Sequence, residues 1–220
     1  QVAHQWVQKG NEVDKILVVS DHSRDTYRNT VYVATHSESG QQQELRLQTP
    51  IATTNYPVKD HGETPDLGLK LDYDFNFFAS AQWGPRKNLE KTVKWFIEEF
   101  IDQEIGLILK INIVNNSIID RYETELRLKK TLDEYPQRKC KVYLLHGENT
   151  EKELTCLYRN PKVKALVSLS HGEGFGLPLF EAAYNGLPVL APDWSGHVDF
   201  LYKPTKGKKG KVKLKAHFAR

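Results

Sequence analysis

The chain has no methionine and only two cysteines, Cys140 and Cys156, in 220 residues. Two cysteines are too few for a disulfide framework, so a reducing compartment is expected and, with it, a cytoplasmic location. No apolar run approaches the ~20 residues needed to span a bilayer, which leaves peripheral contact with a membrane surface as the alternative. The N-terminus, Gln1-Val2-Ala3-His4-Gln5-Trp6, lacks the charged-then-apolar layout of a secretory signal. With no start methionine, and with residue 1 falling in what reads as structured sequence, the chain is expected to be a piece of a longer protein. Histidines, cysteines and acids show no metal-ligand spacing, so no metal is expected. Gly172, Gly174 and Gly176 do not form Gly-x-Gly-x-x-Gly, and no acid follows at the usual interval, which argues against a dehydrogenase.

The formal net charge of +3 hides an asymmetry. Residues 203–220 hold seven lysines and Arg220 with no acid, leaving 23 basic against 28 acidic residues in the rest. A basic tail suits nucleic acid or an anionic surface. No interleaved aromatics or nucleic-acid motif accompany these lysines, and Lys211-Val212-Lys213-Leu214-Lys215-Ala216 alternates as an edge strand with one wet face does. The expectation is therefore an edge strand or a solvated tail, with no nucleic-acid partner.

Apolar periodicity organises the remainder. Residues 14–20 read as a buried strand and 21–29 as a short polar helix. Residues 31–34 and 44–47 read as short strands, with loops at 37–43 and 59–65. From Leu71 onward, strands and helices alternate. Strands are expected at 75–80, 107–113, 141–145, 165–170 and 188–191, and helices at 88–104, 119–132 and 178–185. Thr150-Glu151-Lys152-Glu153 has the form of a capping box opening a further helix. Alternation with short connections predicts an α/β fold, a Rossmann-like parallel sheet with helices on both faces. Three divisions follow: 1–70, then 71–202, then the tail 203–220. Ligands of such sheets bind outside the carboxyl ends of the strands, which singles out the loops at 82–87, 115–118, 146–149, 171–176 and 192–197.

One of these loops is unusually informative. His171-Gly-Glu-Gly-Phe-Gly-Leu-Pro-Leu-Phe-Glu181 joins a strand, a glycine turn and a helix start, with seven residues between two carboxylates. Backbone N–H groups at a helix N-terminus attract phosphate. Carboxylates accept hydrogen bonds from sugar hydroxyls. The combination suits a phosphorylated, hydroxyl-rich ligand.

The stretch resembles the donor-binding motif of the retaining GT-B glycosyltransferases of group 1 (GT4-like), S-x-x-E-G-F-G-L-P-x-x-E-A-x-x-x-G-x-P-V. Ser170, Glu173-Gly174-Phe175-Gly176-Leu177-Pro178, Glu181-Ala182, Gly186 and Pro188-Val189 match in order. The resemblance implies the C-terminal, donor-binding lobe at 71–202, preceded by the end of an N-terminal lobe whose larger part is missing. It also implies a metal-independent hexosyltransferase-like enzyme that needs no cofactor beyond its nucleotide-sugar substrate, such as a UDP- or GDP-sugar. A glycan, lipid or protein would be the acceptor.

By that resemblance Glu181 takes the ribose hydroxyls and Glu173 faces the donor sugar. Gly174, Phe175, Gly176 and Leu177 line the donor, with Phe175 expected to pack rather than stack. Leu145 and Gly147 lie against the base. Arg86 and Lys87 stabilise the departing diphosphate, where charge develops. The family's earlier arginine falls here at Gln82, an uncharged departure. A non-catalytic nucleotide-sugar binding module is therefore the alternative. Ser195-Gly196-His197 follows the last strand and is a candidate to close over sugar or phosphate, with an ordinary surface histidine the more frequent case for His197.

Overall fold

The computed structural model describes residues 1–35, 40–206 and 212–219, which form two units. The first comprises residues 1–57 with the short segments 173–175 and 195–199. Its elements are α1 (His4–Gly10), β1 (Ile16–Val18), α2 (Asp21–Asn29), β2 (Val31–Thr35), β3 (Gln42–Arg46) and β4 (Ile51–Thr53). β1 and β4 pair in parallel, and β2 and β3 antiparallel. Ser20 ends β1's connection and caps α2 by accepting the Ser23 N–H at 3.1 Å, as an N-cap serine should. Val7, Ile51 and Phe175 are its buried apolar side chains among the described residues. Strand β3 begins at Gln42, so the end of the loop expected at 37–43 is paired backbone, while residues 37–39 of that expectation lie outside the described residues.

The second unit holds residues 58–172, 176–194 and 200 onward. It contains β5 (Asn76–Gln82), α3 (Leu89–Phe100), β6 (Gly106–Asn112), α4 (Ile118–Leu132), β7 (Lys141–Leu145), α5 (Glu151–Arg159), β8 (Val163–Val167), α6 (Leu177–Tyr184) and β9 (Val189–Leu190). A four-residue helix α7 (Val198–Leu201) leads into β10 (Tyr202–Lys206) and β11 (Val212–Ala216). Five parallel strands make one sheet in the order β7-β6-β5-β8-β9. Chain order thus reverses between β5 and β8, which is the topological switch point where open α/β sheets bind ligands.

Each face of the sheet carries its own core. Phe78, Ile108, Leu166, Leu157, Leu179 and Ala182 pack together on one side. Ala79, Leu107, Leu109, Ile111, Val93 and Ile97 pack on the other. Alternate residues of β5 and β6 point to opposite faces, so both faces of these strands are buried and their sequences read as continuous apolar runs. α3 turns its Leu89, Val93, Phe96 and Ile97 stripe inward. Thr150 and Glu153 complete the capping box at α5. Cys140 and Cys156 are both free, and burial pushes the Cys140 thiol up.

Several boundaries differ from expectation. α3 stops at Phe100 rather than 104, because the chain turns through Ile101–Glu104 before β6. β8 stops at Val167; the Ser168 N–H still donates to the Leu190 carbonyl at 3.0 Å, and residues 169–170 then leave the sheet to enter the glycine turn. The lysine-rich end is not a simple alternating edge strand. β11 pairs antiparallel with β10, and Lys213, Leu214 and Lys215 are all exposed, so neither face is covered. What joins the parallel sheet's edge is Ala219, whose backbone bonds Val189 and Ala191 at 2.9 and 3.0 Å. Among the described residues no helix is long and apolar enough to cross a membrane.

Candidate functional site

The loops after β5 and β8 meet at the switch point. Pro85–Lys87 forms a single 3-10 turn, and Asn88 follows it in the left-handed region at φ 54°. The Arg86 carbonyl accepts the His171 N–H at 2.8 Å and the Ser170 hydroxyl at 3.3 Å. The Arg86 guanidinium donates to the Gly172 carbonyl at 2.5 Å. Ser170, which is buried, also donates to that carbonyl at 3.0 Å. The Asn88 amide reaches the Leu169 carbonyl at 3.2 Å. Arg86 therefore holds the start of the glycine turn, a role its position in the sequence did not suggest. Lys87 closes the 3-10 turn by donating its N–H to the Gly84 carbonyl at 3.0 Å. Gln82, exposed at the end of β5, ties its amide to the Ile113 carbonyl at 2.9 Å.

The turn ends at Gly176, whose φ of 92° makes it the N-cap of α6, a conformation glycine adopts without a steric penalty. Leu177 is exposed and Pro178 occupies the first turn, where its missing N–H costs nothing. One turn on, Glu181 is half-buried, and its Oε2 accepts the Tyr158 hydroxyl at 2.8 Å. Burial raises the Glu181 carboxyl above its ordinary range, while the Tyr158 hydrogen bond opposes that rise. Burial and the neighbouring Glu181 also raise the Tyr158 phenol, so it stays protonated and can only donate. Among the described residues Oε1 of Glu181 has no hydrogen-bond partner.

Within the first unit, Glu173 is buried rather than an exposed loop acid. Its backbone is clasped by one hydroxyl: Ser195 Oγ accepts the Glu173 N–H at 2.7 Å and donates to the Glu173 carbonyl at 2.6 Å. Gly196 N–H donates to the same carbonyl at 3.0 Å. Gly174 is exposed, and Phe175 packs against Tyr56 with ring centroids 5.3 Å apart, the packing role expected for it. His197 is fully buried, which corrects the reading of it as a surface histidine.

Residues 79–208 match the sequence model of the glycosyl transferases group 1. The chain belongs to that family. No curated protein sequence matches it. Among solved structures, the fold is similar to that of a sucrose-phosphate synthase from Thermosynechococcus elongatus, at 18% identity and a TM-score of 0.62, over 89% of this chain and 46% of that one. It is also similar to a structure described as trehalose-6-phosphate from E. coli bound with UDP-2-fluoro glucose, at 13% identity and a TM-score of 0.61, over 90% and 50%. A trehalose-6-phosphate synthase studied with bisubstrate glycomimetics matches at 14% identity and a TM-score of 0.58, over 90% and 50%. The chain spans about half the length of these structures. Their fold is the GT-B α/β architecture expected from the motif.

In this group 1 chain the loop after β7 is built with equal care. Leu145 ends β7 and packs on the core. Gly147, at φ 116°, offers its carbonyl to Lys110 Nζ at 2.5 Å, and burial lowers the Lys110 ammonium. His146 Nε2 lies 2.8 Å from Asp120 Oδ1, with both side chains buried. Asp120 also accepts the N–H groups of Ile113, Val114 and Asn115 at 2.6–3.0 Å. Burial works against this carboxylate, but His146 and the three N–H groups outweigh it and hold its pKa well below the usual range. Tyr158, Asp120 and Lys110 went unread in the sequence, and the clasp that Ser195 makes on Glu173 was not foreseen. Ser117-x-x-Asp120 at a helix start was the one available signal, and Ser117 does cap α4.

Proposed function

We propose that this chain carries the donor-binding part of a retaining glycosyltransferase acting on a nucleotide-diphosphate sugar. The observation that carries the reading is Glu181: a half-buried carboxylate at the switch point, one oxygen held by Tyr158 and the other available. A carboxylate so placed accepts both vicinal hydroxyls of a ribose, each bond strengthened by its charge. Gly147 and Leu145 bound the base, and the backbone at Gly174–Leu177 approaches the diphosphate closely because glycine leaves room for it. Lys87 and Arg86 supply positive charge where the leaving diphosphate gains negative charge. Glu173 accepts the sugar hydroxyls. The match to structures that include a UDP-2-fluoro glucose complex supports a uridine donor first.

Titration calorimetry with UDP, GDP and ADP tests this. One diphosphate should bind, and Glu181→Gln should weaken it. Folded protein that binds none of the three would sink the reading.

A second reading has its own observation. Arg86 is engaged with the Gly172 carbonyl, and Gln82 stands where the family carries an arginine. Both favour a chain that holds the donor without turning it over. Release of diphosphate from a bound UDP-sugar, measured with and without acceptor sugars, separates the two.

A further inference from the structure

Leu145-His146-Gly147, at the end of β7, is tied down by two charged groups that the donor reading leaves unused. The first is Lys110 on β6, which stands opposite Leu145 in the parallel ladder. Alternation puts its side chain on the sheet face of Ile108, the face that also carries Tyr158 and Ala182. From there Lys110 Nζ donates to the Gly147 carbonyl at 2.5 Å.

The second tie comes from α4. Asp120 Oδ1 lies 2.8 Å from His146 Nε2, and the two side chains are only 5% and 2% exposed. The carboxylate is itself immobilised by the N–H groups of Ile113, Val114 and Asn115, in the loop after β6, and by the Thr124 hydroxyl at 3.3 Å. His146 is therefore fixed to an anchor, and the loops after β6 and β7 are joined through it.

Gly147 shows why a tie is needed. Its φ of 116° is a conformation that glycine enters without a steric penalty and leaves as easily. Untethered, the peptide between Gly147 and Glu148 can turn over. A trans peptide is planar, and its carbonyl and the following N–H point in opposite directions. A carbonyl held on Lys110 therefore sends the Glu148 N–H away from that ammonium. Among the described residues this N–H has no hydrogen-bond partner.

We propose that Lys110 is a positioning residue of the nucleotide site: by holding the Gly147 carbonyl it fixes the Glu148 N–H as a donor to the edge of the base, and so sets which base the chain accepts. The Asp120–His146 pair braces the same loop. This rests on the base lying against Leu145 and Gly147. A fixed N–H discriminates because it bonds a base that presents an acceptor to it and is left unpaired by one that does not.

The test is titration calorimetry of UDP, GDP and ADP with the wild type, Lys110→Met, Lys110→Arg and His146→Gln, with a melting curve for each. The three ligands share ribose and diphosphate, so the ratios of their affinities isolate the base. The wild type should prefer one of them. Lys110→Met should bind that one about tenfold more weakly, the scale of one well-placed hydrogen bond, and the other two nearly as before. Lys110→Arg keeps a donor for the carbonyl and should restore part of the preference, while His146→Gln should narrow it. In the wild type, the preferred ligand should protect the Glu148 amide from hydrogen exchange. Folded Lys110→Met that keeps the wild-type ratios, with affinities unchanged or uniformly weakened, overturns the inference and leaves the donor site in place. So does a wild type that binds all three alike, or a Glu148 amide left unprotected at saturation, which needs no variant. Folded wild type that binds none of the three removes the donor site and the inference with it.

Discussion

Gly196→Ala should damage this protein more than any surface alanine substitution, and the geometry says by how much. A Cβ built on Gly196 lies 2.0 Å from the Gly174 carbonyl oxygen, 2.6 Å from its carbon and 2.9 Å from the Glu173 oxygen. All three are backbone atoms, so no side chain can swing aside. The segments must part by at least about 1 Å before the contact is tolerable. They can resist, at the ~1–3 kcal/mol or more that overpacking costs. Alternatively they separate and lose the three bonds between Ser195, Gly196 and Glu173, each worth about 0.5–1.5 kcal/mol net. Either route gives roughly 2–3 kcal/mol, hence a fall of about 5–10 °C in melting temperature for a chain of this size. Ser195→Ala provides the calibration, because it removes the hydroxyl bonds without a clash and should cost about 1–2 kcal/mol. Circular dichroism melts of the three proteins decide the matter. If Gly196→Ala melts within about a degree of the wild type, the close approach of the two segments is wrong.

Further expectations concern the buried groups. Tyr158→Phe keeps the ring but removes the donor that opposes the rise of Glu181, so the acid limb of UDP binding should move to higher pH. The direction follows from the lost bond to a charged acceptor, whose full strength is reduced by screening at half-buried Glu181. An unmoved limb in folded protein would show that the phenol does not tune the carboxylate. Asp120 has a depressed folded value, so its contribution to stability is present above its ordinary 3.8 and is lost as pH falls below that. Urea unfolding of Asp120→Asn should accordingly be weaker at neutral pH and flatter than wild type between pH 4 and pH 2, and equal slopes would refute this. Gly106→Ala puts a Cβ 1.9 Å from Asn76 Oδ1, an acceptor with no partner in a fully buried side chain whose amide nitrogen is bound to Tyr73 and Lys162. It should cost about 2–3 kcal/mol, and adding Asn76→Ala should cost less than the sum of the single changes.

Local chemistry accounts for what could be read in advance. The Ser20 cap and polar run of α2, the capping box at Thr150 and the five apolar runs of the parallel sheet were legible because each depends on residues close in sequence. So was the motif from Ser170 to Val189, since glycines, proline and glutamates at fixed spacing report a turn and helix start directly. Helix α1 and strands β4 and β10 were not legible, being short and weakly periodic, whereas the alternation at 211–216 did mark β11.

The site divides in the same way. Sequence alone determined that Glu181 stands just inside a helix after a glycine turn, and so that a carboxylate is offered at the mouth of the sheet. Only tertiary structure decided the rest of the site: Tyr158 from another helix, Lys110 on β6 bound to Gly147, and Arg86 bound to Gly172. Partners 23, 37 and 86 residues apart leave no periodic trace. They meet because burying both faces of a parallel sheet brings its strand ends and their helices together, and that packing sets the charge each group carries.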